Sequence, residues 1–195
     1  SDTVAPTASL TVANITNSGS STHTFTVTYS DNVGIDVSDL NGSDVRVTGP
    51  NSYSQYATFV GVDVNADGTP RTATYSITAP GGTWDLADNG TYTISLLSGQ
   101  VSDTSGNLAA AVTLGTFSVG VSDTVAPTAS LTVANITNTG TSTHTFTVTY
   151  SDNVAVDVSD LNGSDVRVTG PNSYSQYATF VGVDTNADGT PRTAT

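Results

Sequence analysis

The chain contains no cysteine and no methionine, and it also lacks glutamate and lysine. Without cysteine, neither disulfides nor thiolate metal sites can hold the fold together. The absence of methionine, the initiating residue included, fits an internal piece of a longer protein. No apolar run approaches the roughly 18 residues a membrane-spanning helix needs, and no leader-like segment stands at the start. Membrane insertion is therefore not expected.

Positive charge is almost missing too. Four arginines (Arg46, Arg71, Arg167, Arg192) oppose seventeen acids, every one an aspartate, for a net charge of −13. Such a surface repels phosphate backbones and anionic lipid, which argues against nucleic acid as a partner. Aspartate favours turns and loop ends, because its short side chain bonds nearby backbone. It also supplies compact oxygen ligands for hard cations. Acids confined to aspartate thus point to loops, and among ions to calcium.

What the chain does have is a restart. Ser122–Asn138 repeats Ser1–Asn17 without change, and residues 122–195 copy residues 1–74 at an offset of 121. Five positions differ: Ser18/Thr139, Ser20/Thr141, Gly34/Ala155, Ile35/Val156 and Val64/Thr185. A period this long suits a whole domain rather than a solenoid unit. The expected organisation is a complete repeat over 1–121 and the first three-fifths of a second over 122–195. That second part is either a window cut from a longer array or completed by another chain. Charge divides as ten Asp against two Arg (−8) and seven against two (−5), which sums to −13.

Within the first repeat, apolar residues alternate with polar ones. Thr22–Tyr29 is the clearest case, with Phe25, Val27 and Tyr29 on one face and threonines on the other. Strands are also expected over Ala8–Val12, Asp44–Thr48, Tyr53–Val62, Arg71–Thr78, Thr91–Leu96 and Ala110–Val119. In the last of these the apolar phase slips at Gly115, which suggests a bulge. Seven strands with turns every 10–15 residues or so, and no helical periodicity, predict an all-β two-sheet sandwich. Asp88-Asn89-Gly90-Thr91-Tyr92 matches the tyrosine-corner pattern, in which a Tyr early in strand F bonds back across the corner. That makes the sandwich immunoglobulin-like, with Greek-key connections.

Three acidic loops carry the candidate chemistry. Asp63-x-Asn65-x-Asp67-Gly68, repeated at Asp184-x-Asn186-x-Asp188-Gly189, is the first half of an EF-hand-type calcium loop. The twelfth position is Thr74, not Glu, and no helix flanks it, so a full EF-hand is excluded. The same residues also make an ordinary Asp- and Gly-rich hairpin turn. Asp31, Asn32 and Asp36, repeated at Asp152, Asn153 and Asp157, occupy the loop expected at the same end of a sandwich as Asp103. Asp2 and Asp123 stand where each repeat begins, and Asp123 can join either the loop at 31–36 or that at 152–157. Asp85 and Asp88 form a further acidic pair. Asp39 and Asp44 read as solvated, and His23 and His144 as outward-facing and inert. No nucleophile elbow, zinc helix or phosphate loop appears, so no enzyme activity is expected.

The DTVAPTASL opening, SDNVGID at 30–36, GTWDLADNGTYTI at 82–94 and VSDTSGN at 101–107 resemble the tandem immunoglobulin-like or cadherin-like domains of very large bacterial surface and secreted proteins, such as cyanobacterial and marine adhesins. The resemblance runs over the whole chain. It implies an extracellular, cell-surface spacer or stalk involved in adhesion, with Ca2+ bound at loops and joints and neighbouring repeats as partners. Two other readings stand beside it. One is a filament subunit joined by strand exchange. The other is a glycan-binding module of a secreted hydrolase, for which Trp84, Tyr53 and Tyr56 would supply the aromatic platform.

Overall fold

The computed structural model describes residues 2–195, which fall into two compact units, the first ending at Ser122 and the second spanning Asp123–Thr195. The first unit is all-β and sandwich-like. Its strands are β1 (Thr7–Thr11), β2 (Thr22–Ser30), β3 (Val45–Thr48), β4 (Ser54–Tyr56), β5 (Thr58–Val62), β6 (Arg71–Thr78), β7 (Gly90–Leu96) and β8 (Val112–Val119). They form two four-stranded antiparallel sheets, ordered β1-β2-β6-β5 and β4-β3-β7-β8. The two-residue periodicity sets which side chains meet between them. Phe25, Val27 and Tyr29 from β2, Ala73, Tyr75 and Ile77 from β6, Val45 and Val47 from β3, and Tyr92, Ile94 and Leu96 from β7 belong to one buried cluster. The intervening threonines of β2 pair across the ladder with β6, as Thr28 does with Thr72.

The structure departs from the sequence reading at the fourth expected strand. Tyr53–Val62 is not one strand but two, β4 in one sheet and β5 in the other. The first unit therefore has eight strands. The chain changes sheet at Ala57, which is fully buried and whose N–H donates to Val45 O. A larger side chain would have no room at that crossing. The slip expected at Gly115 is present as a register shift in the β7–β8 ladder.

Four side chains are placed differently from expectation. His23 shares the parity of Phe25, so it points inward, not outward. Its Nε2 lies 3.0 Å from Ala13 O, its ring packs against Phe117, and burial holds its pKa below the usual range. Trp84 is fully buried among His23, Tyr53, Tyr92 and Phe117 and cannot serve as a glycan platform. Tyr53 is half-buried, its hydroxyl bonded at Gln55 and Thr78, so of that trio only Tyr56 is exposed. Asp44 is buried rather than solvated.

The two ends of the repeat are tied at opposite ends of β7. At the start of β7, Tyr92 closes the corner by donating its hydroxyl back to Asp88 O at 3.0 Å. Beside it, Asn89 grips Val121 through two hydrogen bonds, one to its carbonyl and one from its N–H, each 2.8 Å. Beyond the far end of β7 lies Asp103, next to which Asp2 begins the repeat. Seven residues of strand separate these two points, roughly 23 Å at about 3.3 Å each.

The second unit has β9 (Thr128–Thr132), β10 (Thr147–Ser151), β11 (Arg167–Gly170), β12 (Tyr174–Tyr177) and β13 (Arg192–Ala194). These make a three-stranded sheet, β13-β10-β9, and a two-stranded one, β11-β12.

Asp44 gives the first unit a pH dependence with a defined sign. Its Oδ2 accepts from the Tyr75 hydroxyl (2.7 Å) and the Asn41 N–H (2.8 Å), and Tyr75 in turn meets Tyr29, but Oδ1 is buried with no partner. Burial pushes the carboxyl up to about 6 against the pull of those two bonds, and the charge of Asp39 adds to the rise. Burial pushes the Tyr29 and Tyr75 phenols far up as well, so neither ionises in the working range. A raised acid favours the protonated folded state, so this stability is present below pH ~4 and is lost as pH rises through ~6. From pH 4 to 7.5, wild type should lose roughly 2 kcal/mol relative to Asp44→Asn in denaturant melts read by the single tryptophan, Trp84. Parallel stability curves for the two proteins would contradict this.

Candidate metal centre

Three aspartates from distant parts of the first unit meet in one place. Asp2 precedes β1, Asp31 directly follows β2, and Asp103 sits in the connection from β7 to β8. One carboxylate oxygen from each lies within 4.8 Å of the others. Local turns bring them there. Ile35 forms isolated bridges to both Gly68 and Asp103, which clamps the loop after β2 between two others.

Each carboxylate is aimed by its own loop. Asp31 Oδ2 accepts from the N–H groups of Val33 (2.8 Å) and Gly34 (3.3 Å). Asp103 Oδ1 accepts from the N–H groups of Ser105 and Asn107, both 2.8 Å, and Oδ2 accepts from Asn107 Nδ2 at 2.6 Å. Asp2 Oδ1 accepts from Val4 N–H and Asn32 Nδ2, both 3.1 Å. What remains is Asp2 Oδ2 and Asp31 Oδ1, both buried and without any hydrogen-bond partner. Asp103 itself is almost wholly buried. Burial raises its pKa, but the hydrogen bonds from Asn107 and Ser105 outweigh that and hold it below the usual range.

Among the described residues of the first unit, no arginine answers this charge. Arg46 bonds Ser54 and lies over Tyr56, while Arg71 is spent on backbone carbonyls. Orphaned, buried, like-charged oxygens converging on one point are the donor set of a hard cation, and calcium takes six to eight such oxygens. The residues therefore fit a hard cation such as calcium, which Asp2, Asp31 and Asp103 could hold, with Asn32, Ser105 and Asn107 orienting them.

The second unit repeats the arrangement as far as its sequence goes. Asp123 Oδ1 accepts from Asn153 Nδ2 (3.1 Å) and Val125 N–H (3.0 Å), which joins Asp123 to the loop at 152–157. These bonds hold its pKa down. Asp152 Oδ2 accepts from Val154 and Ala155, and its Oδ1 is again buried and unpartnered.

The remaining sequence candidates hold backbone. Asp36 and Asp157 cap short 3₁₀ turns by accepting from Ser38 and Ser159. Asp63 Oδ1 accepts from Val64 and Thr72 and closes the β5–β6 hairpin, as Asp184 does with Thr185 and Thr193. Asp67 accepts from Val37, and Asp188 from Val158. Asn65 and Asn186 are exposed. In the Asp63–Gly68 loop the Arg71 guanidinium donates to the carbonyls of Ala66, Pro70 and Asp67, and Arg192 does the same in the copy. A cationic side chain thus occupies the concave side of a loop that the sequence offers to a metal. Asp85 and Asp88 form a reciprocal capping box. Sequence reasoning missed Asn107, whose amide fixes Asp103, and Asn89, whose amide fixes Val121. An Asn four residues after an Asp in a Gly-containing turn was the available signal for the first.

Calcium at about 100 times its dissociation constant should raise the Trp84 melting temperature by roughly 10 °C over chelator. Asp103→Asn should remove most of that increment, whereas Asp63→Asn should leave it. An identical melt with calcium and with chelator would contradict the assignment.

Compared with models of known protein families and with curated proteins, the sequence matches none.

Proposed function

We propose that the chain is a non-enzymatic structural repeat, a calcium-stiffened spacer in a large extracellular bacterial surface protein involved in adhesion. One observation carries this reading: the repeat is tied at opposite ends, with Asp2 in the acidic cluster and Val121 in the grip of Asn89. A unit whose two chain ends lie apart strings end to end. One whose ends lie together projects sideways from a host. The joint is also short. Val121 is bonded to Asn89, Asp123 is bonded to Asn153, and only Ser122 lies between them.

The strand order supports an immunoglobulin-like Greek key. β1-β2-β6-β5 and β4-β3-β7-β8 correspond to strands A-B-E-D and C′-C-F-G of that fold, and Tyr92 makes the corner bond early in the strand equivalent to F. The ion's role follows from its ligands. Asp2 belongs to the segment that enters the repeat, and Asp31 and Asp103 belong to its body. A cation bound by all three welds the connector to the domain it enters. Without it, the carboxylates repel and the connector is released.

A protein of two complete repeats, residues 1–121 twice over, should show a larger maximum dimension by small-angle X-ray scattering in millimolar calcium than in chelator. It should also show a narrower spread of shapes. Equal profiles under both conditions would sink the spacer reading.

A further inference from the structure

Three asparagines in the chain are followed by glycine: Asn41, Asn89 and, in the copy, Asn162. Glycine gives an Asn side chain the least hindrance in folding back on the next peptide. All three asparagines are exposed, so sequence and solvent access do not tell them apart. Their surroundings do. Asn41 stands just beyond the short 3₁₀ turn Val37–Asp39. Its Oδ1 accepts from the Ser43 N–H at 2.8 Å and lies 2.5 Å from the Ser43 hydroxyl, whose one proton Gln100 Oε1 also faces at 2.8 Å. Its Nδ2 donates to Asp39 O at 2.6 Å. This Asx turn carries the carboxamide back over the Gly42 peptide. Among the described residues, nothing accepts from the Gly42 N–H.

The copy repeats the turn. Asn162 Oδ1 accepts from the Ser164 N–H at 2.9 Å, and its Nδ2 donates to Asp160 O at 2.7 Å. The arrangement is therefore set by a few neighbouring residues and not by the rest of the domain. Asn89 is held in another way. Its Nδ2 donates to Val121 O and its Oδ1 accepts from Val121 N–H, each at 2.8 Å. Gly90 is already in β7, paired with Val119. The Asn89 carboxamide is committed to Val121, and any attack on it would first break both bonds.

We infer that Asn41, with its counterpart Asn162, is a site of spontaneous deamidation created by its own turn, and that the grip on Val121 protects Asn89 from the same reaction. The Gly42 nitrogen gives its proton to water or hydroxide and bonds to Asn41 Cγ. Negative charge gathers on Oδ1, where the Ser43 N–H and hydroxyl stabilise it. The Cγ–Nδ2 bond then breaks, and ammonia leaves with a proton from solvent. Water opens the resulting cyclic imide at either carbonyl, which gives aspartate or isoaspartate. The only co-reactant is water, and none of the proposed cation ligands takes part. Each event adds one negative charge between Asp39 and Asp44, in a chain already at −13. An old repeat is thereby more acidic than a new one. Isoaspartate also lengthens the backbone by a methylene at the residue whose N–H serves Asp44 Oδ2.

The test incubates the full 195-residue chain at mildly alkaline pH, folded and in guanidinium, and follows each Asn by peptide mapping with tandem mass spectrometry. In the folded chain Asn41 and Asn162 should convert at least about tenfold faster than Asn89, whose attack geometry is lost. In guanidinium the three rates should converge, because each is then an Asn-Gly pair in open chain, and Asn41 should be no faster there than when folded. Ser43→Ala removes the hydroxyl donor and should slow Asn41 roughly tenfold, less than a buried oxyanion donor supplies because the loop is exposed. Asn162 in the same molecule is the reference. Gly42→Ala should slow Asn41 without disturbing the fold, since a Cβ there meets Ala57 O at 3.6 Å and Phe59 N at 3.9 Å, ordinary contact distances. Equal rates at Asn41 and Asn89 in the folded chain, or an Asn41 that converts more slowly folded than in guanidinium, would overturn the site. An unchanged rate in Ser43→Ala would overturn the role given to its hydroxyl.

Discussion

Three carboxylates from three separate loops are held with their oxygens within 4.8 Å of one another, and most of what is distinctive about this chain depends on that convergence. Backbone amides and two asparagine side chains fix both oxygens of Asp103 and one each of Asp2 and Asp31, and leave Asp2 Oδ2 and Asp31 Oδ1 buried without a partner. Without a counter-charge this is a spring under compression, because like charges in a partly buried site repel. With a hard cation it becomes a clamp. One of the three clamped groups, Asp2, precedes the first strand. The electrostatics of a loop cluster therefore bear on how firmly a connector is attached to a domain.

The fold was legible because its strands alternate cleanly. Phe25, Val27 and Tyr29, or Tyr92, Ile94 and Leu96, could face only one way. The corner was legible as well, since Asp88 and Tyr92 stand at the spacing at which the hydroxyl reaches the carbonyl. Features that hinge on two sheets meeting were not legible. The change of sheet at Ala57 leaves no local mark beyond a small residue within an apolar run. Asp44 looks like any loop acid until Tyr75, thirty-one residues away, is seen to bond it. His23 was readable from its parity alone, and only its threonine neighbours suggested otherwise.

The candidate centre was half legible. Loop ends that share one end of a sandwich place Asp31 near Asp103 by topology alone. Which loop Asp123 would join was open in the sequence, and the Asn153 bond answers it. The Asp63–Gly68 motif misled for a physical reason. Ligand spacing says that oxygens can converge, but not what already fills the space, and here Arg71 does. The repeat also separates local from non-local causes. Asp157 caps the same turn as Asp36, and Asp184 closes the same turn as Asp63, because those contacts lie within a few residues or across one hairpin. Burial of the core does not carry over in the same way, because it depends on strands far along the chain.

The most direct test of the account is an anomalous difference map from crystals of the protein grown in calcium. It should show one peak at oxygen-ligand distance, about 2.3–2.6 Å, from Asp2, Asp31 and Asp103, and none in the Asp63–Gly68 loop. Ordered water alone between the three carboxylates, or an ion in the Arg71 loop instead, would contradict it.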